Sequence, residues 1–201
     1  MTEPRQSTDA DAEVARLIVD VRDHQPRDDR EQQSRMVILD QLVVLPYPFD
    51  RHAALTHVTA SAVVVGRRGV LLHRHRRLQR WLQPGGHLEP GESPMEGARR
   101  ESEEETGLAL DHPTGGPVLL HLDVHEAADA HMHLDIRFLL LGPDEDPAPP
   151  PDESQEVAWF SWNKARALSD EALAGALQSA RRLIDTGTVE VPWGTSEETD
   201  G

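Results

Sequence analysis

The sequence predicts a mixed α/β domain over residues 55–187, preceded by a helical extension over residues 1–54. Segments rich in β-branched residues alternate with segments whose apolar residues recur every three or four positions. A chain of 201 residues suits one domain with additional segments at its ends. The final stretch, residues 188–201, ends in "GTSEETDG" and is expected to be a disordered tail.

The extension is predicted to contain two helices, over residues 10–23 and 29–44. The apolar positions of the first are Val14, Leu17, Ile18 and Val21. Those expected on the apolar side of the second are Met36, Leu39, Leu42 and Val43. Such a helical hairpin would pack on the main domain or on a partner subunit, and it suggests either contacts in a homodimer or a lid over a pocket.

The main domain is predicted to alternate strands with two helices. Its strands are expected at residues 56–65, 70–76, 117–125, 131–141 and 156–162, and its helices at 94–106 and 169–186. Five residues separate the third and fourth strands, so these two should pair as a hairpin. A proline-rich acidic loop over 142–154 precedes the last strand.

Charge and composition exclude several kinds of function. The net charge of −16 disfavours binding to nucleic acid polymers or anionic membranes. A small anionic substrate would need local cations or bound metal ions. Cysteine is absent, which excludes disulfides and thiolate zinc sites. The sequence also lacks an apolar run of membrane length and a secretory signal, so a cytoplasmic location is expected.

Residues 85–108 combine a glycine-rich loop with an acidic helix. Glu101, Glu104 and Glu105 share one helix face, where like charges repel unless a cation neutralises them. Magnesium accepts such carboxylate ligands, together with waters and substrate phosphates. The alternative is an ordinary solvated run of charge. Gly85 and Gly86 would allow a backbone carbonyl to approach a bound ion.

Local signals fix both ends of this helix. Ser93 and Glu96 form a capping box around Pro94 at the first helical position, and Gly107 ends the helix as a C-cap. Arg100 can pair with Glu104 on the helix or with Glu92 in the loop, and either pair would brace the loop against the helix.

This stretch resembles the Nudix box, G-x5-E-x7-R-E-U-x-E-E-x-G-U, where U is a bulky aliphatic residue. The matching residues are Gly86, Glu92, Arg100, Glu101, Glu104, Glu105, Gly107 and Leu108. A chance match is on the order of 10⁻⁶ over a chain of this length, which argues against a plain charged helix. Ser102 departs from the pattern, because the family has an aliphatic residue there. Its hydroxyl could bond back to the carbonyl of Ala98.

The resemblance implies an α/β/α sandwich with a mixed sheet and hydrolysis of a nucleoside diphosphate linked to another group X. It implies that Mg²⁺ or Mn²⁺ binds Glu101, Glu104, Glu105 and the Gly85 carbonyl. The expected catalytic residues are Glu101, Glu105 and Arg100, and the expected structural residues of the box are Gly86, Glu92 and Gly107. Glu153 and Glu156, after the proline-rich loop, are further candidates for the general base, and the alternative for both is ordinary solvation of the loop. Glu153 is also a candidate substrate ligand. The alternative is a non-catalytic Nudix-like domain with a nucleotide-binding or regulatory role.

Eleven histidines are many for this length, and several alternate along the predicted hairpin. His121, Asp123 and His125 should face one side of the third strand, and His131, His133 and Asp135 should share a face of the fourth. Three interpretations remain open: a solvated sheet face, a wall of the substrate pocket, or a separate transition-metal site. The pocket interpretation makes His131, His133 and Asp135 candidate substrate-binding residues.

Overall fold

The computed structural model describes residues 6–127 and 130–193. Its helices are α1 (Gln6–Asp23), α2 (Asp29–Val44), α3 (Pro94–Thr106), α4 (Trp162–Leu168) and α5 (Glu171–Asp185). Its strands are β1 (Thr56–Gly66), β2 (Gly69–Arg74), β3 (Trp81–Leu82), β4 (Gly85–His87), β5 (Val118–Glu126), β6 (Met132–Leu141) and β7 (Val157–Phe160). No helix in these two described ranges has both the length and the apolar character needed to cross a membrane.

The strands form one mixed sheet with β1 at its centre. The order is β3-β2-β1-β6-β5, with β4 paired to β1 and β7 paired to β2. Only β1 and β6 run parallel, while the other pairs are antiparallel, including the predicted β5–β6 hairpin. Helices α3 and α5 cover opposite faces. The predicted mixed sheet with helices on both sides, preceded by helices, is therefore confirmed.

Alternation along β1 separates the two faces of the sheet. Val58 and Ala60 pack in a core that includes Ala98 of α3. Val63 and Val65 pack in a second core, under Leu173 and its neighbours on α5. Because successive side chains of a strand point to opposite faces, the odd-numbered residues of β1 lie on the α5 side and the even-numbered ones on the α3 side.

The extension packs on the edge of this sheet, but α2 presents a different face from the one predicted. Ile38 and Leu42 are buried, whereas Met36 and Val43 are 56% and 74% exposed. Glu31 explains why α2 is rotated about its axis relative to the prediction. Its buried carboxylate accepts hydrogen bonds from the His24 ring (2.7 Å) and from the Leu122 N–H of edge strand β5 (3.0 Å). A polar side chain that satisfies a strand edge thus lies on the buried face of α2.

Three short elements are absent from the sequence prediction, and the first residues of the predicted tail pack on the domain. Strands β3 and β4 have two and three residues, and α4 has seven, which is too short for a periodic signal. Val189 is buried against α5, and Val191 and Trp193 pack beside it. The start of the tail therefore packs on the domain instead of being disordered, while residues 194–201 lie outside the described residues.

Candidate active site

The loop and helix of residues 85–107, hereafter the loop–helix unit, begin and end as predicted. The Glu96 carboxylate accepts from the backbone N–H of Ser93 at 3.0 Å, which completes the capping box at the start of α3. Gly107 ends the helix with φ 69°, in the left-handed region. Ser102 is fully buried, and its hydroxyl donates to the Ala98 carbonyl at 2.6 Å. The polar residue at this aliphatic position is therefore satisfied inside the helix.

Arg100 joins the loop to the helix. It forms a bidentate pair with Glu92, with Nε–Oε1 at 2.8 Å and Nη2–Oε2 at 2.9 Å. The same guanidinium donates to Glu101 (3.0 Å), to Glu104 (3.1 Å) and to the carbonyl of His87 (2.9 Å). The bond to Glu92 is the main reason that the pKa of Arg100 is raised. Both pairings considered from the sequence are present, and they support a positioning role for this residue.

Two of the box carboxylates face β4. A side-chain carbon added to Gly86 would lie 2.5 Å from Glu101 Oε2, so this position must remain glycine for Glu101 to pack there. Glu105 Oε2 accepts the backbone N–H of Gly85 at 2.9 Å. This bond uses the N–H of Gly85 and leaves its carbonyl for the expected metal contact. The structure thus brings Glu101 and Glu105 against the glycine pair, with Glu104 more exposed on the same helix.

The electrostatics of this group fit a cation. Burial raises the pKa of Glu105 to about 8, and the nearby Glu101 and Glu153 add to the effect despite the Gly85 hydrogen bond. Burial also raises the pKa of Glu101. His73, whose Nδ1 lies 3.5 Å from Glu105 Oε1, has a pKa lowered to about 4 by burial and supplies no positive charge. Oxygen donors in excess of their positive partners suit a hard divalent ion.

His73 is a residue of this site that the sequence analysis did not select. In the sequence it stands in the run His73-Arg74-His75. Which of these side chains faces the interior depends on how β2 lies in the sheet. Glu153, by contrast, lies within electrostatic range of Glu105, as its effect on that pKa shows. Arg76 donates to the backbone carbonyls of Asp152 and Glu153, and Ser154 donates to the Arg74 carbonyl at 2.7 Å. These bonds hold the proline-rich loop near β2.

The polar residues of the β5–β6 hairpin lie on the other face of the sheet. Gly86 faces Glu101, so the next residue of β4, His87, points to the α5 side. His133 and Asp135 share that side. The predicted site residues are therefore separated by the sheet, with the carboxylates on the α3 side and His133 and Asp135 on the α5 side. His87, which the sequence analysis did not select, also lies on the α5 side.

The interpretation of a solvated face is wrong for this hairpin, because its central polar residues are buried. Asp123, Asp135 and Arg137 are at most 3% exposed. Arg137 donates to Asp135 at 2.8 Å and to Asp123 at 3.0 Å. Thr59 and Ser61 of β1 donate to Asp135 as well, at 3.2 and 2.9 Å. Asp135, a candidate substrate ligand, is thus engaged in a buried network beside Ser61, the residue that pairs with Gly85.

Burial would raise the pKa of Asp123, but it is held below its usual value. The hydrogen bond from His125 and the charges of Arg137 and Arg30 account for this. Burial would likewise lower the pKa of Arg137, yet the two aspartates raise it. Asp123 and Arg137 therefore remain ionised, and they pair with each other inside the protein.

Five imidazoles lie next to this network and form what we term the histidine cluster: His57, His87, His125, His131 and His133. The ring centroid of His57 is 5.1 Å from that of His87, 5.0 Å from that of His133 and 5.2 Å from that of His131. His133 lies 5.4 Å from His125, whose Nδ1 is 3.0 Å from Asp123 Oδ2. Burial and the adjacent His125 lower the pKa of His133 to about 4.

Solved structures of other proteins share the fold of this chain. A crystal structure of a Nudix-family hydrolase from Clostridium perfringens is 26% identical over 63% of this chain and 97% of its own, with a TM-score of 0.55. An Ap4A hydrolase of C. elegans is 21% identical over 64% of this chain and 98% of its own, with a TM-score of 0.56. A NUDIX hydrolase from Nitrosomonas europaea is 24% identical over 72% and 98%, with a TM-score of 0.51. The last two support the fold alone.

The family model for the NUDIX domain matches residues 55–183, which is more than half of the chain. The matched span contains the loop–helix unit and both faces of the sheet, and it leaves the two N-terminal helices outside. The chain therefore belongs to the Nudix family.

Proposed function

We propose that residues 55–187 form a metal-dependent hydrolase domain that cleaves the diphosphate linkage of a nucleoside diphosphate joined to another group X. The observation that carries this proposal is the convergence of Glu101 and Glu105 on the Gly85–Gly86 pair. Arg100 donates to Glu101 and is shared with Glu92, and Glu105 accepts the N–H of Gly85. Family membership supports the reaction class. Mg²⁺ or Mn²⁺ fits the oxygen donors present.

In this proposal the protein supplies position and proton transfer. Glu104, Glu105, Glu101 and the Gly85 carbonyl would hold the cation, which would neutralise diphosphate oxygens and lower the pKa of a bound water. Arg100 and Glu92 fix the loop relative to α3, so that these oxygens keep their spacing. One carboxylate accepts the proton of the water as its oxygen bonds to phosphorus in line. The bridging P–O bond of the diphosphate breaks, and the bridging oxygen leaves with the departing phosphate group.

Glu101, Glu153 and Glu156 are the candidates for that proton acceptor, and Glu156 is the least suited because Arg74 binds both of its oxygens. Glu101 is the more restrained, because Arg100 holds one of its oxygens. Glu153 lies outside the box, on a loop whose backbone is held by Arg76. A half-buried carboxylate within electrostatic range of Glu105 can receive a proton without being a metal ligand. Glu153→Gln should therefore reduce kcat and leave the Mg²⁺ affinity unchanged if Glu153 is the base.

A panel of nucleoside diphosphate derivatives, assayed for product release with and without Mg²⁺, tests the proposal. Turnover that requires the metal, and that disappears in Glu105→Gln, supports it. The non-catalytic alternative predicts binding without turnover, and the complete set of box carboxylates argues against that alternative. Failure of every derivative at millimolar Mg²⁺ or Mn²⁺ would exclude hydrolysis of this substrate class. The homodimer and the cytoplasmic location stay predictions.

A further inference from the structure

We propose that His57, His87 and His133 form a second metal site, selective for a borderline divalent transition-metal ion and distinct from the carboxylate site. One nitrogen from each of these three rings lies within 4.8 Å of the other two. The rings come from three strands, β1, β4 and β6, that are neighbours in the sheet. His57 is paired with His133 in register, and His87 is paired with Thr59, two residues further along β1.

The donor set selects the ion. Imidazole nitrogens suit zinc, copper, nickel and cobalt, whereas magnesium requires oxygen. A zinc–nitrogen bond is about 2.0–2.1 Å, so three ligand nitrogens of a tetrahedral site lie roughly 3.4 Å apart. The three nitrogens are at most 4.8 Å apart, so small side-chain rotations would bring them to this spacing. His87 and His133 are half-buried, while the buried His57 lies on the inner side.

The surroundings resemble a second ligand layer. His131 packs on His57 at 5.2 Å between centroids and could supply a fourth nitrogen. His125, which packs on His133, is bonded to Asp123, and Asp123 is in turn held by Arg137 and by Arg30 at 2.8 Å. Carboxylates that orient imidazoles are common around histidine metal sites, and here Asp123 orients His125, a ring that packs on the proposed ligand His133.

The contact between Arg51 and His87 leads to a specific prediction. Its guanidinium lies 3.2 Å from His87 Nδ1 and can only donate, so that nitrogen accepts and the ring proton lies on Nε2. A metal ion bound through Nδ1 must replace this exposed arginine. Arg51→Ala should therefore bind zinc at least as tightly as the parent protein.

Equilibrium dialysis of the full chain against Zn²⁺, with Mg²⁺ in large excess, tests the site. Mg²⁺ occupies the carboxylates and does not compete for imidazoles. We expect one zinc ion per chain, and at least tenfold weaker binding in His87→Gln and His133→Gln. His112→Gln is the matched control, because its ring packs on Phe138 on the α3 side, and it should bind as the parent does.

Two further measurements separate this site from the carboxylate site. Co²⁺ should give the visible absorption of a nitrogen-ligated four-coordinate ion in the parent and in Glu105→Gln, but not in His133→Gln. Zinc should also raise the melting temperature of the parent and not that of His133→Gln, since an ion bound only by the folded state stabilises it. Circular dichroism confirms that each variant is folded. Three results would overturn the proposal: no zinc binding in the presence of Mg²⁺, zinc binding in both histidine variants as tight as in the parent protein, or loss of zinc binding only in Glu105→Gln.

Discussion

The loop–helix unit and the histidine cluster both crowd ionisable side chains, on opposite faces of one sheet, and they limit charge in different ways. The carboxylates of the loop–helix unit share one arginine, and burial leaves Glu105 with a pKa of about 8. Burial lowers the pKa of His133 to about 4, so this ring of the cluster is neutral near pH 7 and does not repel its neighbours. Among the described residues, His57, His87 and His133 form the one group whose ligand atoms meet within 4.8 Å.

This difference teaches what each region needs in order to work. Two carboxylates that meet at the Gly85–Gly86 pair, with the exposed Glu104 on the same helix, suit a hard ion whose coordination is completed by water and by substrate phosphates. Imidazoles that have already converged suit an ion held by the protein alone. The first arrangement is expected of a catalytic site and the second of a structural one. The predictions below test this contrast.

The largest expected effect is on catalysis. Glu105→Gln removes the buried carboxylate that contacts Gly85, and we expect hydrolysis to fall by roughly 10³-fold or more, because the metal ligand is lost. The variant should remain folded, since the amide oxygen can still accept the Gly85 N–H. Steady-state kinetics at saturating Mg²⁺ measure the loss. Near-full turnover would remove Glu105 from the proposed site.

The next effect concerns the buried network beside the histidine cluster. Arg137→Met leaves Asp123 and Asp135 without their shared cation, and removing one partner of a buried ion pair costs about 3–5 kcal/mol in the free energy of unfolding. Urea denaturation monitored by circular dichroism measures it. Arg99→Met is the control, because its pair with Glu103 is half-exposed, and it should cost less than about 1 kcal/mol. An equal loss of unfolding free energy in the two variants would show that the buried network stabilises the fold no more than an exposed ion pair does.

Sequence alone identified the loop–helix unit well and the histidine cluster poorly, for a physical reason. The box is local: its caps, its arginine and its carboxylates all lie within residues 85–108 and depend on helix spacing. The cluster joins His57, His87 and His133 from three strands, and their proximity depends on the parallel β1–β6 register. Likewise the buried face of α2 depends on Glu31 reaching the edge of β5, which no helical periodicity contains.

Arg100→Lys tests whether the loop–helix unit relies on bidentate geometry. Lysine keeps the charge but cannot form the fork to Glu92, so Glu101 and Glu104 should lose their fixed spacing. We expect kcat/KM to fall about 10- to 100-fold, with zinc binding at the histidine cluster unchanged. Parallel assays of hydrolysis and zinc dialysis compare the two regions in one variant. Wild-type kinetics would show that charge alone is sufficient.

The smallest expected effect is a pH dependence confined to the carboxylate side. Burial raises the pKa of Glu105 from 4.5 to about 8, so the metal-free protein holds a proton there that Mg²⁺ must displace. Mg²⁺ affinity should rise about tenfold per pH unit from pH 6 to 8 and then level off. The sign for folding is opposite: because the folded state binds this proton more tightly, the stability of the metal-free protein falls as pH rises from 4.5 to 8. Calorimetry in two buffers of different ionisation enthalpy would detect the released proton, and Glu105→Gln should release none. A flat Mg²⁺ affinity across this range would mean that Glu105 is already ionised, and that the two faces of the sheet do not differ in the way proposed.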